Sequence, residues 1–185
     1  LPRIFAADRI SQLINRLLEE NQLLARNNAL LEEHNLIDSL TALGNRRYLL
    51  QRLTDALQRV ESRGGFCSLL VLGIQNYEDI GTRFGEHVQQ ELLRGAARRL
   101  QQLVRPMDVI ARIGPGTFAI CTVGSDADEC RPNSFRRLHD GLNLKAFKTS
   151  EGYLSLRAGM ALSTLGKDDP RIDADQMLQG VEAHL

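Results

Sequence analysis

The stretch Ala111 to Ile120, ARIGPGTFAI, sets a Gly-Pro-Gly turn between two apolar runs. That pattern predicts a hairpin tip, where small residues let a ligand come close to the backbone. The tip itself supplies neither a carboxylate nor a strong nucleophile. Cys67, Cys121 and Cys130 are odd in number and lack C-x-x-C spacing, so they signal neither a disulfide framework nor a zinc site. The basic side chains are nearly all Arg, since Lys occurs only at 145, 148 and 167. Arg is the better fork for phosphates and guanine edges, although an Arg-rich composition alone more often reflects coding bias than binding.

Formal net charge is zero with 25% of residues charged, which argues against a nucleic-acid partner and against direct contact with an anionic membrane. The run CSLLVLGI is too short to cross a bilayer, and no signal-peptide pattern opens the chain. A reducing, cytoplasmic setting is the expectation, with the segment free to belong to a larger or membrane-attached protein. The first residue is Leu, which reads as an excised piece.

Several elements must position the hairpin. Residues 8 to 37 lack Gly and Pro and read as one long helix. Within it Ile10, Ile14, Leu17, Asn21, Leu24, Asn28, Leu31 and Asn35 follow alternate steps of four and three, a heptad with Leu at d and Asn at a. An Asn at position a costs stability and fixes register in a parallel two-stranded coil, so the reading is a marginal homodimeric coiled coil able to shift register. The competing reading is an amphipathic helix packed on its own domain, helped by Leu23, Leu30 and Ile37.

Beyond the coil, DSLTALGNRR forms a turn-bearing hinge, and RYLLQRLTDALQRVESR has helical apolar spacing with Tyr48, Leu49, Leu53, Leu57 and Val60 on one side. FCSLLVLGI is a buried-strand run, residues 77 to 104 a helix pair broken near Gly85, and VIARI with TFAICTV the two hairpin strands. A loop, GSDADECRPN, then precedes a short helix in SFRRLHDGL. YLSLRAGMAL alternates as one strand, and DADQMLQGVEAHL closes as a helix. The order α-β-α-α-β-β-α-β-α predicts an α/β sheet with helices packed on it.

This order and three motifs resemble the GGDEF domain, the bacterial diguanylate cyclase that condenses two GTP molecules into cyclic di-GMP. DSLTALGNRR resembles the family opening D-x-L-T-G-L-x-N-R-R, with Ala42 in place of Gly. RPMDVIARIGPGTF resembles R-x-x-D-x-x-x-R-x-G-G-D-E-F, and LSLRAGMAL resembles a later strand T-x-S-x-G-x-A. The resemblance covers roughly residues 36 to 185. It implies a nucleotidyl-cyclase-like, mostly antiparallel β-sheet flanked by helices, with a coiled-coil signalling helix over 1–37 and the GGDEF domain over 38–185.

The same resemblance implies a degenerate catalytic site. The signature positions are Gly114, Pro115, Gly116, Thr117 and Phe118, so both signature acids are replaced. The family's first metal-binding Asp aligns with Gly73, its base-reading Asn with Gly81, and its second base-reading acid with Gln90. Two magnesium ions need anionic oxygen ligands, which Gly cannot supply, and Pro115 removes an N–H from the phosphate-cradling loop. No catalytic residue, no metal and no cofactor are therefore expected. Glu78 and Asp79 are the only substitute ligands close in sequence, and Asp79 falls where helix has already begun.

What the resemblance retains is the product-inhibition motif R-x-x-D, at Arg105 and Asp108, six residues before Gly114. An Arg fork bonds a guanine edge or phosphate, and a carboxylate accepts guanine N–H donors, so the pair implies cyclic di-GMP as ligand. Arg136 or Arg137 falls where the family's further clamping Arg lies. Arg52/Asp55 and Arg137/Asp140 also fit the bare pattern, so position carries the assignment. Arg112, without metal ligands nearby, is expected to pair with a local acid. Three functions follow: an inactive domain sensing cyclic di-GMP and coupled to a coiled-coil dimer; a ligand-free dimerisation or protein-docking module with an unknown partner; and, least favoured, a cyclase with substitute ligands.

Overall fold

The structure, a computed structural model, describes residues 2–125 and 135–185, and for residues 2–5 and 28–34 the backbone only. The chain falls into two compact units, residues 1–35 and 36–185. The first unit is a single helix, α1 (Pro2–His34). It ends three residues short of the expected 37, because Ile37 is drawn instead into an antiparallel bridge with Gly44. Ile10, Ile14, Leu17 and Leu24 are each more than half exposed along α1, and Asn21 is exposed with them. The side chains of Asn28 and Leu31, expected on the same seam, lie outside the described residues.

The second unit runs α2 (Arg46–Arg63), β1 (Phe66–Ile74), α3 (Tyr77–Phe84), α4 (Glu86–Leu103), β2 (Val109–Gly114), β3 (Thr117–Gly124), α5 (Arg136–Asn143), β4 (Phe147–Thr149), β5 (Gly152–Leu154), β6 (Ala158–Gly166) and α6 (Ala174–Glu182). Among the described residues, the main sheet has order β2-β3-β1-β6 with antiparallel neighbours, and β4-β5 form a separate hairpin. The α/β class and flanking helices agree with the sequence expectation.

Each helix shows its cause locally. Asn45 caps α2 by accepting from Tyr48 N at 3.0 Å, Gly64 ends it at φ +80°, and Leu49, Leu53, Ala56 and Val60 bury one stripe. Tyr48 and Leu57 sit half-buried at the margin of that stripe. Asp173 and Gln176 close a reciprocal capping box on α6.

The central strand β1 is buried on both faces, which explains its unbroken apolar run. Cys67, Leu69 and Val71 face a core shared with α2 and α6, built on Leu49, Leu53, Met177 and Leu178. Leu70, Leu72 and Ile74 face the other core, with Leu92, Leu93, Ala96 and Leu100 of α4 and Phe118 and Ile120 of β3. Burial of these two sets supplies most of the driving force, at about 25 cal/mol per Å² of apolar area.

One expected strand is two. The alternation in YLSLRAGMAL predicts a single element, whereas β5 stops at Leu154 and β6 starts at Ala158. Asparagine side chains take the backbone groups that a neighbouring strand would have paired. Asn76 Nδ2 donates to Ser155 O at 3.1 Å, Arg157 N donates to Asn76 Oδ1 at 2.9 Å, and Ala158 N donates to Asn143 Oδ1 at 2.9 Å.

Candidate functional site

The hairpin of β2 and β3 turns through Pro115 and Gly116, with a register shift between Arg112 and Gly114. Its tip is held from two sides. Ile74 N donates to Gly116 O at 2.9 Å, and Arg112 Nε and Nη2 donate to Pro115 O at 3.1 and 2.8 Å. Arg112 Nη1 also meets Asp38 Oδ1 at 3.1 Å. The acid expected locally is therefore supplied from the hinge, 74 residues upstream.

Side chains stand close against the glycine backbone at and near the tip. A Cβ added at Gly116 would lie 2.9 Å from Tyr77 Cγ, and one at Gly73 would lie 2.8 Å from Leu185 Cδ2. At Gly81 an added Cβ would lie 2.6 Å from Gln89 Nε2, which donates to Tyr77 O at 2.8 Å. Gln89 thus covers the point where the family resemblance places base recognition, and Gln90 instead donates to Glu86 Oε1 along the exposed face of α4.

The donor set here does not fit a divalent cation. Gly73, Gly116 and Thr117 offer no carboxylate, and apolar or aromatic side chains press on both glycines. Asp79 is spent on Arg83 at 3.4 Å on exposed α3. Among the described residues no group of three or more His, Cys, Asp or Glu side chains is placed to hold a metal.

A second locus lies at the opposite end of β2. A cleft of about 290 Å³ is lined by Leu103, Val104, Arg105, Asp108, Ile120, Thr122, Phe135, Arg137 and Leu138. Asp108 stands where α4 has ended and β2 begins, and its side chain is 6% exposed. One carboxylate oxygen is structural: Oδ2 accepts from Arg105 N at 2.9 Å and closes the turn. The other, Oδ1, is buried without a hydrogen-bond partner, with Arg105 Nε at 3.6 Å. Thr122 Oγ1, on the same cleft wall, is likewise buried and unpartnered. Buried polar atoms normally have hydrogen-bond partners, and these two in one cleft have none among the described residues, although Arg105 lies within ion-pair distance of the first.

The structure brings Arg105, Asp108 and Arg137 to this cleft and leaves Arg136 outside it, 3.6 Å from Asp140 and 80% exposed. Asp140 also faces His139. Arg52 and Asp55, the other R-x-x-D match on α2, line a different cavity with Met107 and Cys121. Thr122 was not a sequence candidate, because a Thr in a strand run carries no signal of a missing partner.

Cys67 and Cys121 are free thiols with sulfurs 3.9 Å apart. The Cys67 contact, then burial, push the Cys121 thiol well up. Cys130 lies outside the described residues.

Helices on an antiparallel sheet, with a hairpin tip at one end of β2 and an Arg–Asp cleft at the other, define a nucleotidyl-cyclase-like domain. The family model "Diguanylate cyclase, GGDEF domain" matches residues 35–184, and the chain belongs to that family. It is 28% identical over 183 residues to diguanylate cyclase TpbB of Pseudomonas aeruginosa, covering 91% of this chain and 42% of that protein. It is 29% identical over 114 residues to diguanylate cyclase DgcS of Shewanella oneidensis, covering 62% of this chain and 38% of that protein. The chain thus spans less than half of either relative.

Among solved structures, a sensory box/GGDEF family protein from Caulobacter crescentus superposes with TM-score 0.74 at 25% identity, covering 80% of this chain and 94% of that one. The coiled coil and GGDEF domain of DgcB from Caulobacter crescentus, in complex with c-di-GMP, superposes with TM-score 0.71 at 18% identity. That match covers 92% of this chain and 91% of the other, and shares the fold. No helix among the described residues is long and apolar enough to cross a membrane.

Proposed function

We propose that this chain is a catalytically inactive GGDEF domain that acts in cyclic di-GMP signalling as a receptor, binding the dinucleotide in the Arg105–Asp108 cleft and coupling it to a dimer through α1. The observation that carries the reading is Asp108 Oδ1, a buried carboxylate oxygen without a hydrogen-bond partner, in a cleft that Arg105 and Arg137 also line. A guanine N–H would satisfy that oxygen, while the two guanidinium groups suit guanine O6/N7 or phosphate. Inactivity is supported by the residue types at Gly73, Gly116 and Thr117, where the resemblance places acids, and by the Gln89 and Tyr77 side chains that stand against Gly81 and Gly116. Family membership and the ligand in the DgcB complex make cyclic di-GMP the dinucleotide to test.

Isothermal titration calorimetry is the test. Micromolar binding of cyclic di-GMP, lost in both Arg105→Ala and Asp108→Asn, supports the receptor reading. Absence of binding overturns it and leaves a docking module; cyclic di-GMP formed from GTP and magnesium overturns the inactive assignment.

A further inference from the structure

Between α4 and the β4–β5 hairpin runs an open groove of about 620 Å³, which shares no lining residue with the Arg105–Asp108 cleft. Gly95 allows its close wall, since an added Cβ would lie 3.0 Å from Phe147 Cδ1. Phe147 is buried, and the Arg99 guanidinium stacks over it, 3.6 Å from the ring centroid. Arg99 donates to the carbonyls of Gly141, Lys145 and Ala146, all neutral acceptors. Its charge therefore meets no carboxylate, and burial lowers its pKa.

Three more cations line the same groove. Arg94 and Arg98 are exposed one turn apart on α4, Lys148 is exposed on β4, and none has an ion-pair partner among the described residues. The one acid in the lining, Glu91, is already engaged: Oε2 accepts from Ser150 N at 2.9 Å and Ser150 Oγ at 3.1 Å, and Oε1 faces His87 at 3.1 Å. In a chain of zero formal net charge, this is a local concentration of unspent positive charge.

The geometry points to a docking surface for an acidic protein segment. Arg94 and Arg98, at i and i+4, stand about 6 Å apart, the spacing of carboxylates four apart on a partner helix. Tyr153 pairs across the hairpin with Lys148 and is 73% exposed, adding an aromatic beside the cations. Arg and Tyr together are the side chains that concentrate energy in protein interfaces. Nucleic acid fits less well, because its affinity scales with the number of phosphates neutralised and the whole chain supplies no positive field.

A fluorescein-labelled deca-glutamate peptide titrated into the intact chain, with ¹⁵N amide shifts followed in parallel, tests the assignment. The expected result is saturable binding that weakens as salt rises, with shifts confined to residues 91–102 and 147–153. Arg94→Glu/Arg98→Glu should weaken it by about tenfold or more, and Lys148→Glu should weaken it independently, with unchanged thermal melting in both. No saturable binding, shifts outside these segments, or equal binding by the charge-reversed variants would overturn the proposal. Tighter binding of a decathymidylate strand than of the peptide would overturn the choice of a protein partner.

Discussion

Arg112 Nη1 lies 3.1 Å from Asp38 Oδ1, with the two side chains only 16% and 17% exposed. This pair ties the hinge after α1 to the hairpin, and it does not act alone. Asp38 Oδ2 accepts from Thr41 N at 3.0 Å and Thr41 Oγ1 at 2.6 Å, while Arg112 N donates to Gly44 O at 2.8 Å. Arg112 also holds Pro115 O with two N–H groups. Removing the guanidinium strands a half-buried carboxylate and a turn carbonyl together. Arg112→Ala should cost about 2 kcal/mol in urea unfolding. Arg112→Lys should recover part of that by keeping the charge near Asp38, but not the fork to Pro115. Wild-type stability in both variants would show that the pair is idle.

Ala42 has φ +60°, the one positive φ among the non-glycine described residues. The left-handed region costs an L-residue about 1–2 kcal/mol, part of which Gly returns through its greater unfolded-state entropy. Ala42→Gly should therefore stabilise the domain by about 0.5–1 kcal/mol, read as a raised unfolding midpoint at unchanged slope. A fall in midpoint would mean that the hinge does not hold this conformation in solution.

Gln89 and Gly81 should be energetically coupled. Gln89 Nε2 donates to Tyr77 O, and a side chain at Gly81 would collide with it. Gly81→Asn must displace the Gln89 amide and break that hydrogen bond, a loss of about 1 kcal/mol. In a Gln89→Ala background the same substitution no longer meets the Gln89 amide and regains helix propensity over Gly. A double-mutant cycle should then give a coupling of at least about 0.5 kcal/mol. Strict additivity would place the Gln89 side chain elsewhere.

Much of this architecture was legible in the sequence, for identifiable reasons. FCSLLVLGI announced β1 because a strand covered on both faces has no polar alternation to blur it, and the Gly-Pro-Gly turn announced the β2–β3 hairpin. The break between β5 and β6 was hidden, because the groups that interrupt it, Asn76 and Asn143, come from distant elements. At the candidate sites, the residue types at 73, 81 and 116 could be read directly, whereas the side chains that stand against them could not. Tyr77 over Gly116 and Gln89 over Gly81 are tertiary meetings, visible only once α3, α4 and the hairpin are assembled. The same holds for Arg137 and Arg136, which are adjacent in sequence yet stand inside and outside the cleft.

The exposed heptad row of α1 yields the last prediction. Ile10, Ile14, Leu17 and Leu24 are each 52–59% exposed, and Asn21 stands exposed between the last two. Such a row loses its apolar contact with water only by meeting another surface, and its heptad spacing suits a second copy in parallel. Analytical ultracentrifugation should find twice the chain mass for the intact protein and the single-chain mass after deletion of residues 1–34. Asn21→Leu then separates register control from affinity. Replacing a polar a-position by Leu removes the cost of burying an amide, so the dimer should dissociate at lower concentration than wild type. It also removes one of the groups that excludes other registers and oligomers, so species larger than the dimer should appear. A dimer weakened by Asn21→Leu would mean that Asn21 is not on the seam. A monomer at all concentrations would show that α1 buries its apolar row by some other means, and would remove the coupling half of the proposed receptor.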